Sequence, residues 1–188
     1  MKSLSRKQVS QILKVASESK RNHAMILLAF QHGMRASEVC GLKIKDLDFR
    51  NQKITIRRLK GSLETTQALC NVTGQPLLSE LRVLKAWLSE RNDASDYVFT
   101  SQKGGRVDRT QFFRIFQSTA ERAGIPVDLR HPHCLKHSLG FALVESGAHM
   151  ATIKQALGHK SMQSTSVYTT ATDEMADKAR QSAMANLF

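Results

Sequence analysis

The chain is short of three things, and each shortage removes a class of function. Cysteine is scarce: Cys40, Cys70 and Cys134 are an odd number, far apart, with no CxxC pair. That argues against a disulfide framework and predicts reduced thiols in a cytosolic setting. Long hydrophobic runs are missing. AMILLAF at 24–30 is the longest apolar stretch, well short of the ~20 residues of a membrane span, and no segment reads as a signal peptide. Acidic residues are few: sixteen Asp and Glu stand against twenty-eight Lys and Arg, a net charge of +12. No cluster of carboxylates reads as a two-metal centre. Repeats, low-complexity tracts and evident linkers are also lacking.

What is present is positive charge, spread through RRLK (57–60), KGGRVDR (103–109) and HPHCLKH (131–137). That distribution implies a surface assembled by folding rather than a disordered arm. It also implies a polyanionic partner, most commonly nucleic acid. With 188 residues, 41% of them apolar and 23% charged, the sequence reads as a single domain over 1–188.

Most segments carry helical signals. Ser5 and Gln8 form a capping box that opens a helix to about Glu18. A second helix covers 22–32 and stops at Gly33; a third starts after Arg35. ITIRRL (54–59), KGS (60–62) and LETTQAL (63–69) read as strand, turn and strand of a hairpin. Pro76 opens an amphipathic helix to about Glu90, with Leu77, Leu81, Leu84 and Leu88 on one stripe. YVFT (97–100) suits a short strand or an extended link. Asp108 caps a helix that ends at Gly124, and Pro132 opens another that ends near Gly147. Shorter helices follow at 149–157, 161–168 and 173–186. The expected fold is mainly α with a small antiparallel β-sheet.

HPHCLKH invites a metal reading, because His133 and His137 lie four apart on one helix face. Zinc needs three or four converging ligands, and neither an HExxH glutamate nor paired cysteines supply the rest. Other basic motifs are ordinary one by one. GMRASEV places Arg35 after a glycine turn, with Glu38 one turn on; RRLKG places Lys60 at a hairpin tip. GHKSMQSTSVYT places His159 after a helix end and Tyr168 nine residues later. Singly these read as an ion-paired arginine, a solvated lysine and a core tyrosine.

In this order and spacing, GMRASEV, the RLKG turn, HPHCLKH, LGHK and VYT resemble the tyrosine recombinases, or phage integrase family. The resemblance covers nearly the whole chain. It is nearest to the small recombinases that invert fimbrial promoter segments and lack a separate N-terminal core-binding domain. It implies the tyrosine recombinase catalytic-domain fold and metal- and ATP-independent DNA breakage and rejoining, with no cofactor.

The resemblance also implies roles. A phosphodiester in displacement gathers negative charge, which fixed cations can stabilise. Arg35 would grip the scissile phosphate with its planar fork, and His159 would donate to a non-bridging oxygen. Tyr168 would attack phosphorus and form a 3′-phosphotyrosyl link that conserves bond energy. Lys60 would protonate the leaving 5′ oxygen. His133 would receive the tyrosine proton or serve as a further phosphate donor, and Glu38 would orient Arg35 or His133. DNA contacts are expected from Arg57, Arg58, Lys103, Arg106, Arg109, Gln111, Arg114 and Lys160. In the helix of Arg109 and Gln111, Phe112, Phe113 and Phe116 are available to the core. Implied partners are double-stranded DNA with inverted-repeat sites, further copies of the chain up to a synaptic tetramer, and accessory DNA-bending proteins. The implied location is the cytoplasm, at the nucleoid. The final helix would dock on a neighbouring subunit.

One position breaks the pattern. The family carries H-x-x-R, and this chain has His133-Cys134-Leu135-Lys136. Lysine keeps the charge but loses the bidentate fork. Losing one such donor slows chemistry roughly 10²–10³-fold. Three readings follow: a slow but active recombinase, a DNA-binding regulator that has lost cleavage, or a lysine introduced to trap a state. A type IB-like topoisomerase would share the chemistry.

Overall fold

Capping chemistry sets where the helices begin. Ser5 Oγ accepts from the Gln8 N–H at 3.3 Å while the Gln8 side chain accepts from the Ser5 N–H at 2.9 Å, which opens α1 (Arg6–Ala16). Ser19 caps α2 (Lys20–Gln31), and α3 (Ala36–Cys40) follows the turn at Gly33. Gly33 has φ 54°, and a Cβ there would lie 2.7 Å from Leu157 Cδ2. Both the left-handed backbone and the close approach require glycine. The computed structural model describes residues 2–58, 64–102 and 104–168, with isolated positions between 177 and 185.

Among the described residues, β1 (Leu47–Asp48), β2 (Lys53–Ile56) and β3 (Thr65–Ala68) form one antiparallel sheet in sequence order. Ile54 lies opposite Leu47 on one side and Gln67 on the other. The antiparallel pairing of β2 with β3 is as expected, while the turn expected at 60–62 lies outside the described residues. β1 was not foreseen, because two residues are too few to show a period.

The segment after Pro76 differs from expectation. Pro76–Leu78 is one 3-10 turn, Ser79 breaks the path, and α4 (Glu80–Leu88) starts afresh. Its buried positions are Glu80, Val83 and Leu84, so the expected leucine stripe is interrupted by a carboxylate. The Glu80 N–H donates to the Cys70 carbonyl at 2.9 Å, and its Oε2 accepts from the Cys70 N–H at 2.5 Å. Its Oε1 lies 2.9 Å from His32 Nε2. These partners offset the cost of burying the charge.

YVFT (97–100) is an extended link, bridged at Tyr97 to Lys43 and at Thr100 to Arg106. Asp108 Oδ1 accepts from the Gln111 N–H at 2.7 Å and caps α5 (Arg109–Arg122). Phe112 and Phe116 are fully buried, whereas Phe113, expected to be available to the core, is 41% exposed. Then come α6 (His133–Glu145), α7 (Met150–Leu157) and α8 (Gln163–Ser166). The helix expected over 173–186 falls largely outside the described residues. No described helix is long and apolar enough to cross a membrane.

Two apolar clusters result. The larger joins Ile12 and Leu13 of α1, Met25–Leu28 of α2, Ile54 and Ile56 of β2, Phe112 and Phe116 of α5, and Cys134 and Leu135 of α6. α2 is buried over 23–29 and so forms its axis. The smaller holds Ile153, Leu157 and Tyr168, with Leu139, Phe141 and Val144 of α6 packed on it. α6 therefore belongs to both.

Candidate active site

The site lies where the α2–α3 turn, the end of β2 and helices α6–α8 meet. Arg35 precedes α3, so its own N–H can reach the Glu38 carboxylate one turn on, at 2.9 Å to Oε2. Its guanidinium donates to Glu38 Oε1 at 2.8 Å and stays 27% exposed, while the Glu38 side chain is fully buried. The fixed fork thus faces outward from a buried anchor. Burial pushes the Glu38 carboxyl up, yet the Arg35 N–H and the charges of Arg58 and Lys136 hold it below the usual range.

Arg58 corrects the reading of the hairpin. It was expected among the DNA-contacting cations, but its side chain is fully buried. It donates to Glu38 Oε2 at 3.2 Å, the His32 carbonyl at 2.9 Å, and the Gly33 and Ala156 carbonyls, each at 3.1 Å. Ile54, Ile56 and Arg58 alternate inward, so the strand period that buries the isoleucines buries the arginine as well. Arg58 ties the hairpin and the Gly33 turn to the end of α7.

Lys136 is similarly enclosed, at 5% exposure. Its Nζ donates to the Gly33 carbonyl at 3.0 Å and the Leu157 carbonyl at 2.6 Å. An ammonium has three N–H groups, so only one is left over for a phosphate oxygen. Burial pushes the Lys136 amine down to about 7, helped by Arg58 and Arg35 and opposed by Glu38.

The imidazoles and the phenol are packed together. His133, exposed at the start of α6, lies 6.3 Å from His137, centroid to centroid. Burial, His131, Arg35 and Lys136 all lower the His133 pKa. Tyr168 is 3% exposed and stacks on His159 at 6.3 Å with 10° between planes. Its hydroxyl lies 2.9 Å from His137 Nδ1. Burial pushes the phenol up to about 12. The ring fits because residue 140 is glycine: a Cβ there would lie 2.5 Å from Tyr168 Cε1. His159 Nδ1 is 3.1 Å from Thr165 Oγ1, and burial, with the charges of Lys136, Arg35 and Arg58, pushes its pKa down to about 4.

The structure thus brings Arg35, Glu38, His133, Lys136, His159 and Tyr168 into one region, while Lys60 and Lys103 lie outside the described residues. Arg106, Arg109, Arg114 and Lys160 are exposed and Gln111 is half-buried. Arg57 is exposed and pairs with Asp46 at 3.0 Å. A cleft of about 340 Å³ joins Arg35, Arg109, Phe113, His131 and His133. Three contributors were not foreseen as site residues: Arg58 in its buried role, His137 and Gly140. The i,i+4 spacing of His133 and His137 was the available signal for His137. Among the described residues, no group of three or more His, Cys, Asp or Glu side chains converges as a metal site would require.

An arginine anchored on a buried carboxylate, two imidazoles and a buried tyrosine gather in the order in which the sequence motifs occur, and residues 2–175 match the phage integrase family. The chain belongs to that family. It is a tyrosine recombinase by sequence and by fold. It is 38% identical over 173 residues to the type 1 fimbriae regulatory protein FimB of Escherichia coli K12, covering 88% of this chain and 82% of that protein. The crystal structure of XerA recombinase superposes with a TM-score of 0.79 at 25% identity, over 96% of this chain and 64% of that one. XerH recombinase bound to its difH substrate, in a pre-cleavage complex, superposes with a TM-score of 0.77 at 22% identity, over 96% and 54%. The recombinase therefore spans between about half and two thirds of those solved chains.

Proposed function

We propose that this tyrosine recombinase cuts and rejoins duplex DNA at specific sites through a 3′-phosphotyrosyl link formed by Tyr168. One observation carries the reading: a buried phenol, hydrogen-bonded through its hydroxyl, packs on His159, whose imidazole feels the charge of Arg35, itself held by Glu38. Arg35 holds a non-bridging phosphate oxygen, and His133 adds a second donor. Where the Thr165 hydroxyl donates to His159 Nδ1, the His159 Nε2–H is a third. Lys60 protonates the leaving 5′ oxygen. Arg57, Lys103, Arg106, Arg109, Gln111, Arg114 and Lys160 supply the contacts to the DNA backbone, which gives salt-dependent affinity. The solved Tn1549 transposon integrase, similar in fold, is in complex with transposon right end DNA. The likeness to a fimbriae regulatory protein favours a rearrangement, such as inversion between repeats, that sets expression of a neighbouring gene. Four copies at two sites, with DNA-bending helpers, complete the synapse in this reading.

Lys136 favours a second reading, a DNA-binding regulator with impaired cleavage, because two of its N–H groups are held by carbonyls. A nicked suicide duplex, carrying a site selected from random DNA on the immobilised protein, separates the two. The enzyme leaves a protease-sensitive covalent adduct, lost in Tyr168→Phe with binding intact. No adduct from the wild type or from Lys136→Arg refutes cleavage.

A further inference from the structure

Attack by a phenol needs an acceptor for its proton. The family pattern points to His133, but among the described contacts His133 meets the ring of His137 rather than that of Tyr168. The hydroxyl itself lies 2.9 Å from His137 Nδ1, with the two ring centroids 5.9 Å apart. Other contacts hold the phenol in this pose. Phe141 meets it edge-on at 5.4 Å, His159 stacks on it, and Gly140 leaves the space it fills.

We propose that His137 is the base of the cleavage step, its Nδ1 taking the Tyr168 hydroxyl proton as the phenolic oxygen attacks phosphorus. The inference deepens the recombinase reading and rests on it. In the step, the Oη–H proton passes to Nδ1, the Oη–P bond forms, and the P–O5′ bond breaks. The leaving oxygen takes its proton from a separate acid, the role given to Lys60. On rejoining, the 5′ hydroxyl returns its proton to that acid and attacks phosphorus, the Oη–P bond breaks, and the His137 imidazolium returns its proton to Tyr168.

The surroundings suit a neutral ring with a free lone pair. Burial lowers the His137 pKa, and so do the charges around it: His133 and Lys136 on its own helix, His131 in the preceding turn, and the amino terminus. Tyr168 faces it from beyond α8, and His159 stacks on that phenol from the α7–α8 link. Tyr168, pushed up to about 12 by burial, keeps its proton until attack. A base within hydrogen-bond reach is what such a nucleophile needs.

The test is single-turnover adduct formation on the nicked suicide duplex between pH 6 and 9, in the wild-type and Lys136→Arg backgrounds. His137→Ala is expected to lose about 10²-fold in rate while DNA affinity holds. His137→Asn keeps an acceptor oxygen near the Nδ1 position but cannot take a proton, so it is expected to be equally slow. In the Lys136→Arg background, whose guanidinium stays charged, the rate with His137 present should level off above the imidazole pKa. In that background the His137 variants' rates should climb about tenfold per pH unit as hydroxide replaces the base. A His137→Asn rate within about threefold of wild type, or an unchanged pH profile, overturns the proposal alone. If both backgrounds form no adduct, the recombinase reading falls and takes this proposal with it. Imidazole ¹⁵N spectroscopy of intact protein guards against misfolded variants. An unprotonated His137 Nδ1 whose shift moves in Tyr168→Phe supports the proposal. A protonated Nδ1, or no movement, overturns it.

Discussion

Replacing Lys136 by arginine should make DNA cleavage indifferent to pH above neutrality, whereas the natural chain should lose activity there. The Lys136 ammonium is 5% exposed and its pKa is pushed down to about 7. Between pH 6 and pH 9 the charged fraction of such an amine falls about 100-fold. A guanidinium stays charged throughout. Measured at subsaturating DNA, where the rate reports the free protein, the ratio of Lys136→Arg to wild-type adduct formation should therefore grow about 100-fold over that range. Ionisations shared by the two proteins, such as those of His137 and Tyr168, cancel in the ratio. A ratio that stays flat refutes the reasoning. Stability should move with the same group. Its folded value lies below the unfolded 10.5, so the unfolded chain holds the extra proton between those limits. The burial penalty is fully present below about pH 7 and is relieved as pH rises. That gives a gain of about 2 kcal/mol between pH 7 and 9. In urea unfolding, Lys136→Met should lack this slope.

Two further substitutions probe the scaffold. Gly140→Ala sets a methyl group 2.5 Å from the Tyr168 ring. Adduct formation should slow about 10²-fold with DNA affinity unchanged, and urea unfolding should show a loss of about 1–3 kcal/mol. Arg58→Ala strips partners from a buried carboxylate and three carbonyls, and should cost about 3–5 kcal/mol by urea unfolding. Arg57→Ala, next in sequence but exposed, should cost less than about 1 kcal/mol while lowering the salt dependence of DNA binding by about one ion.

Helix boundaries were legible in the sequence because caps act locally. Ser5, Asp108, Gly33, Gly124 and Gly147 each mark an end within a residue or two of where it lies. The motif residues of the site were legible in type and order. What stayed hidden depends on partners far along the chain. Glu80 is buried because Cys70 and His32 receive it, and no leucine stripe announces that. Arg58 read as a surface cation because its four acceptors come from α3, the Gly33 turn and the end of α7. His137 drew notice only for a metal pairing that the sequence did not support, because the phenol it meets comes from beyond α8, 31 residues along the chain. Period and charge say which face is buried; they do not say which polar atom waits there.

The division of apolar side chains into two clusters has a consequence for how the molecule tolerates change. The larger cluster holds most of the buried apolar side chains, while the smaller one holds Tyr168, the proposed nucleophile, and is tied on through Arg58, Lys136 and Gln67. Substitutions in the first are limited by whether the chain folds at all; those in the second are limited by the angle at which an oxygen meets phosphorus. Pairs drawn one from each cluster, far apart and without shared partners, should add, whereas pairs within the second should couple. A lineage can therefore drift in one half and retune its cutting in the other, and the lysine at position 136 stands at the seam between them.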